Sequence, residues 1–185
     1  MSNGVPRFDD IIGRLWHRVE VPPLAHASEL GIPLDLGTLT VLPGALTPGD
    51  PAPDFDVPSF DSGRIRLNDY RGKVLLPAFW GSDYDPTSRD LHDLKNVYER
   101  FRTDPHYAQL GLVLARNPLL ARKAAERARV DWPQGLLEGQ AVSTVYDIRT
   151  IPLYVLIGPQ GQVLATGRSV SALAQAVEAA LATVR

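Results

Sequence analysis

At 185 residues the chain holds one full domain with an extension and falls short of two ordinary domains. Hydrophobic residues make up 44%, charged residues 22%, and the formal net charge is -2, a soluble globular balance with no electrostatic case for nucleic acid or an anionic membrane surface. The cysteine count is 0, which excludes disulfides, thiolate nucleophiles, Cys-x-x-Cys redox pairs and thiolate metal sites within this chain.

The N-terminal stretch differs in texture from the rest, with proline and glycine recurring in VPPLAH, GIP and LPGALTPGDPAP. The division expected is an N-terminal extension or arm over 1–48 and a domain over 49–185. Within the arm, Ile11, Ile12 and Leu15 share a helical face and predict a short helix over Phe8 to Trp16, while LDLGTLTVL predicts a strand over Leu34 to Leu42. Met1 to Val21 lacks the apolar core of a signal peptide and no run reaches transmembrane length, so no membrane span is expected and the cytoplasm is the expected compartment.

From Asp54 the pattern becomes regular. DFDVPSF and RIRL flank Asp61-Ser62-Gly63 and predict a β-hairpin. KVLLPAFW, Lys73 to Trp80, is the near-continuous apolar run of a strand covered on both faces, with Pro77 calling for a bulge or a locally one-sided pairing. Leu91, Leu94, Val97 and Phe101 give one apolar face to a helix over Pro86 to Arg102, opened by Asp85 as cap and Pro86 at the first position. A buried strand over Gln109 to Ala115 follows, then a helix over Leu119 to Val130 entered through Asn117-Pro118. Ala141 to Ile148 suggests a short helical turn, and IPLYVLIG with QVLATG forms a hairpin across Pro159-Gln160-Gly161. Val170, Leu173, Val177 and Leu181 mark a last helix over Ser169 to Val184, with Ser169 or Ser171 as cap. The order β-α-β-α-β-β-α implies an α/β fold, a mixed sheet with helices on both faces.

Several groups bear on chemistry. Asp83, Asp85 and Asp90 are hard-oxygen groups, but their spacing is not a calcium loop and caps explain them, so no metal is expected. The histidines are dispersed, and the hydroxyls of DPTSRD lack a nucleophile elbow and a base, so no catalytic residue is assigned. Arg122, Lys123, Arg127 and Arg129 make a basic helix face that reads as solvated, and no nucleic-acid partner is expected. No glycine-rich phosphate loop is present, and no cofactor is expected. Tyr154, Tyr146 and Trp132 suit either the core or the wall of a groove beside Pro152.

Three phrases in order, GDPAPDF, GRIRLNDYRGKVLLPAFW and TIPLYVLIGPQGQVLATG, resemble the thioredoxin-like redoxins, the group that contains the alkyl hydroperoxide reductase/thiol-specific antioxidant proteins and the thiol:disulfide reductases. Asp131-Trp132-Pro133-Gln134 resembles a segment of the reductase-like branch. The resemblance implies a thioredoxin-like fold and a cis Ile151-Pro152 bond facing the active-site helix. It also implies where the reactive site would stand, and here the chain departs from the family. On the pattern F-W-x-x-W-C-x-x-C, Phe79 and Trp80 match, Asp83 replaces the second tryptophan, Tyr84 the nucleophilic cysteine and Thr87 the resolving one. On the peroxiredoxin pattern the cysteine falls at or near Ser88.

A helix N-terminus lowers a thiol's pKa and yields thiolate near neutral pH. A phenol with a pKa near ~10 and an aliphatic hydroxyl do not replace it, and neither exchanges disulfides. Tyr84, Asp85, Pro86, Thr87 and Ser88 are therefore degenerate redox-site positions, and no thiol-disulfide or peroxidase activity is expected. The domain is expected to be a binding or a structural module; Trp80, Asp83, Ile151 and Pro152 remain candidates for a binding groove, whose partner would be a protein or extended peptide. The alternative ligand is glutathione, with Tyr84 donating to its sulfur as in thioredoxin-fold transferases. An oxidoreductase or antioxidant label would follow from the fold by likeness alone.

Overall fold

The apolar run before Gly81 forms the central strand of a five-stranded sheet, as its unbroken burial requires. The computed structural model describes residues 13–14, 42–43, 46–81 and 87–184, and the chain divides into two compact units, Met1–Gly44 and Ala45–Arg185. In the first, Gly13–Arg14 (β1) pairs antiparallel with Leu42–Pro43 (β2). This corrects the helix expected over Phe8 to Trp16 at the two residues described there: glycine is a poor helix former, and Gly13 is instead extended in a strand pair. The rest of that helix, and the expected strand up to its last residue Leu42, lie outside the described residues.

The second unit opens with the predicted hairpin. Asp56–Pro58 (β3) pairs antiparallel with Arg64–Arg66 (β4), and the Ser59 amide donates to the Gly63 carbonyl at 3.1 Å. Gly63 takes φ +75°, a conformation glycine adopts without a Cβ penalty. A 3-10 turn, Leu67–Tyr70, leads into Val74–Gly81 (β5). There follow Thr87–Phe101 (α1), Tyr107–Leu114 (β6), Pro118–Arg127 (α2), Gln134–Leu136 (β7), Ala141–Val145 (α3), Leu153–Ile157 (β8), Val163–Gly167 (β9) and Val170–Val184 (α4). The sheet order is β7-β6-β5-β8-β9. β7, β6 and β5 run parallel, β8 runs antiparallel to β5, and β9 runs antiparallel to β8.

Successive side chains of a strand point to opposite faces, and β5 shows what that does in a two-sided sheet. Val74, Leu76, Ala78 and Trp80 join Leu91, Leu94, Val97 and Phe101 of α1 and Leu173, Val177 and Leu181 of α4 in one core. Leu75 and Phe79 join Phe55, Val57, Ile65, Leu67 and Tyr146 in the other. The long helices thus cover one face, and the hairpin with the short α3 region covers the other. Each fully buried aliphatic or aromatic side chain contributes about 1.5–3 kcal/mol, so the α1 stripe alone holds that helix firmly on the sheet.

Pro77 is buried in β5 and its pairing is one-sided. The ladder to β6 runs without a shift through Pro77↔Leu110, whereas the ladder to β8 is present at Leu75, Ala78 and Phe79 and skips Leu76 and Pro77. Proline has no amide hydrogen to donate there. The register irregularity falls instead between β8 and β9, at Leu156/Ile157.

β7 is an addition to the predicted order. Its three residues include a glycine and no β-branched side chain, so propensity does not mark them. What holds the strand is long-range: pairing with β6 on one side and a bridge from Ser59 to Gly135 on the other. At the helix ends the predicted entry at Asn117-Pro118 is present, whereas at α4 the Ser169 and Ser171 hydroxyls bond each other at 2.9 Å. The Asn117 side chain accepts from the Leu119 amide at 3.0 Å with Pro118 in the first turn. Ser169 immediately precedes α4, and its carbonyl accepts from the Leu173 amide at 3.2 Å. Among the described residues no helix is long and apolar enough to cross a membrane.

Candidate functional site

The C-terminal end of β5 delivers the site. Asp83, Tyr84, Asp85 and Pro86 lie outside the described residues, and Thr87 and Ser88 enter through their backbone as the first residues of α1. The described part of the site is therefore the end of β5, the proline loop ahead of β8, and the segments packed beside them.

Trp80 is 1% exposed, standing in the helix-side core and not on an open wall. Its indole Nε1 donates to Gln134 Oε1 at 3.0 Å, and Gln134 Nε2 donates to the Trp132 carbonyl at 3.0 Å. A buried polar side chain is tolerated only when hydrogen-bonded, and Gln134, 5% exposed, is bonded at both ends of its amide. Gly111 makes room for it: a Cβ there would run into the Gln134 amide.

The Ile151-Pro152 bond is cis, as the resemblance implies. Ile151 lies over the backbone of Gly81, where a Cβ would collide with its Cδ1. The structure thus brings the last residue of β5 and Ile151 of the proline loop together. Beside them opens a cleft of about 410 Å³ lined by Gly81, Leu114, Ala115, Arg116, Leu137 and Ile151 among others. It sits at the carboxyl ends of the parallel strands β5 and β6, where ligands of open α/β sheets commonly bind.

The aromatics weighed as groove walls belong to the core. Tyr146 is 2% exposed; its ring lies 4.9 Å from that of Phe79 and its hydroxyl donates to the Pro53 carbonyl at 2.7 Å. Burial pushes its phenol pKa up, with a smaller contribution from the Asp54 charge. Trp132 packs on the other face of the sheet against Tyr98, ring centroids 5.2 Å apart. Tyr154 is fully buried on that same face, and its hydroxyl has no hydrogen-bond partner among the described residues. Its pKa is raised by burial first and then by the Asp90 and Asp93 charges. Both phenols are thereby held in the neutral, protonated form near neutral pH.

The basic residues of α2 are exposed. Arg122 donates to the Phe60 carbonyl and lies over the Phe60 ring, 5.5 Å from its centroid. Among the described residues no group of three or more His, Cys, Asp or Glu could hold a metal ion. Sequence reasoning missed Gln134 and Arg116. Gln134 lay inside a phrase read only for its resemblance, and Arg116 follows a predicted strand with no local motif.

The AhpC/TSA family model matches residues 48–166. Thiol-disulfide oxidoreductase ResA of Geobacillus kaustophilus is 31% identical over 124 residues, covering 64% of this chain and 68% of that protein. The protein of the same name from Bacillus subtilis is 24% identical over 120 residues, covering 65% of this chain and 66% of that one; the match thus spans just under two thirds of that relative. Among solved structures, the thioredoxin domain of a thiol-disulfide oxidoreductase from Bacteroides vulgatus superposes with a TM-score of 0.68 at 26% identity, covering 73% of this chain and 98% of that one. A thiol:disulfide interchange protein from a Bacteroides species gives 0.67 at 26%, covering 74% and 91%. The chain belongs to the AhpC/TSA family and carries its thioredoxin-like fold without a cysteine.

Proposed function

We propose that this protein is a redox-silent member of its family that binds an extended peptide in the groove beside the cis Ile151-Pro152 loop. The observation that carries the reading is a proline loop kept in place against the end of β5 in a chain whose cysteine count is 0. Thiol-disulfide exchange proceeds by thiolate attack on a disulfide sulfur. No residue of this chain supplies that thiolate, so the reaction named for its relatives has no nucleophile here. Recognition of an extended peptide by backbone pairing needs no sulfur in the reader, and the cleft at Gly81 and Ile151 adds the side chains of Leu114, Leu137 and Ile151 as an apolar part of its wall.

The purified chain, supplied with dithiothreitol, is expected to reduce insulin disulfides and to consume hydrogen peroxide no faster than a Tyr84→Ala/Thr87→Ala control. Turnover above that control sinks the redox-silent reading.

A further inference from the structure

The cleft beside Ile151 is not neutral, and its charge points to the kind of peptide it takes. Leu114, Leu137 and Ile151 give it an apolar wall, and Arg116 supplies the cation in its lining. Among the described residues Arg116 takes part in no ion pair, and its residue is exposed.

A second observation lies immediately downstream. Leu119 and Leu120 are 68% and 51% exposed, the large apolar side chains most open to solvent among the described residues. They stand in the first turn of α2, after Arg116, the Asn117 cap and Pro118. Scattered exposed leucines need no explanation, but these two are adjacent and stand three and four residues after Arg116 of the cleft lining. The charges around them have one dominant sign. Arg116, Arg122, Lys123 and Arg127 are exposed over 114–127 against Glu126 alone, and Glu138 is the acid of 137–139.

We propose that this surface selects peptides in which an acidic residue neighbours large apolar ones. The proposal rests on the groove reading above and names its ligand class. An apolar side chain enters between Leu114, Leu137 and Ile151, a carboxylate meets Arg116, and the chain continues over Leu119 and Leu120. Extended peptide places alternate residues on one side, so alternating Leu and Asp presents an apolar row to the wall and carboxylates to the rim. The aliphatic walls give nucleobases no aromatic platform on which to stack, and the surface suits a peptide better than a single-stranded nucleic acid.

Fluorescence anisotropy with three labelled probes tests this: a peptide with a Leu-Asp-Leu-Asp-Leu centre, the same peptide with Asn for Asp, and an oligothymidylate. The wild type is expected to bind the Asp peptide about 1.5- to fivefold tighter than the Asn peptide through the exposed ion pair made with Arg116, with the preference fading at high salt. Arg116→Gln should erase the preference without changing thermal unfolding, because the residue is exposed. Leu119→Ser/Leu120→Ser should weaken both peptides together. Equal affinity for the two peptides, a preference that survives Arg116→Gln, or tighter binding of the oligothymidylate overturns the proposal. Binding of both peptides without preference overturns it alone, whereas binding of neither removes the groove reading with it. Insulin reduction by the wild type would end redox silence while leaving the charge selectivity to stand on the anisotropy.

Discussion

Replacing Gln134 with leucine tests how the end of β5 is held. Trp80 and Gln134 are 1% and 5% exposed, so neither end of their 3.0 Å hydrogen bond has ready access to water. Leucine keeps roughly the side-chain volume and opens no large cavity, but it strands the indole N–H and takes the Gln134 amide from the Trp132 carbonyl. A buried donor left unsatisfied costs about 1–3 kcal/mol and a lost neutral hydrogen bond about 1 kcal/mol more, so Gln134→Leu is expected to lose about 2–4 kcal/mol. That is a large part of the roughly 5–15 kcal/mol that holds a typical domain folded. Urea unfolding followed by far-UV circular dichroism measures it, with the slope unchanged. Trp80→Phe removes the donor, so in the double variant the indole N–H is no longer orphaned and only the Trp132 carbonyl lacks its partner. The double variant should therefore be less destabilised than the sum of the singles by about 1–2 kcal/mol. Single-variant losses that add to within about 0.5 kcal/mol would refute the pairing as the source of the cost.

Three further outcomes follow from the same geometry. Gly111→Ala drives a Cβ into the Gln134 amide and should cost about 1–3 kcal/mol as overpacking, read by the same urea curve; a neutral result would mean that the amide moves aside freely. Tyr146→Phe removes the donor to the Pro53 carbonyl and should cost about 0.5–1.5 kcal/mol, with faster hydrogen exchange at the Phe55 amide. The Asp56 carboxyl is held below its ordinary value of 3.8, first by the hydrogen bond from Arg64 and then, against desolvation, by Arg66. A carboxylate depressed in the folded state stabilises fully above 3.8 and loses that contribution as pH falls through the lower folded value. The stability gap between wild type and Asp56→Asn should therefore close below pH 3.8 and stay open above it; a gap that widens in acid would contradict the pairing.

Much of the fold was legible because local signals and burial agree. The apolar run of β5, the three- and four-residue spacing of Leu91, Leu94, Val97 and Phe101, and the Asp61-Ser62-Gly63 turn each state their element in a few residues. β7 was not legible: Gln134, Gly135 and Leu136 have weak strand propensity, and their pairing depends on β6 and Ser59, distant in sequence. At Gly13 and Arg14, the described residues of the expected first helix, a strand pair stands instead for a related reason, since pairing with Leu42–Pro43 is invisible to a periodicity argument. The site divides in the same way. The missing sulfur could be read directly, as could the place of the proline loop once the resemblance was drawn. The cleft could not, because Gly81, Arg116, Leu137 and Ile151 come from four separate segments and only the sheet brings them together. Trp80, Trp132, Tyr146 and Tyr154 looked available for a groove because aromatic residues serve core and recognition equally; their burial decides for the core.

Amide NMR of the 15N-labelled chain, titrated with a cysteine-free extended peptide, tests the central claim most directly. Binding beside the proline loop predicts saturable shifts gathered at Gly81, Arg116, Ile151 and Leu153, with the peptide recovered chemically unchanged. Absence of shifts at millimolar peptide, or shifts confined to α4 or the outer edge of β9, would contradict the account.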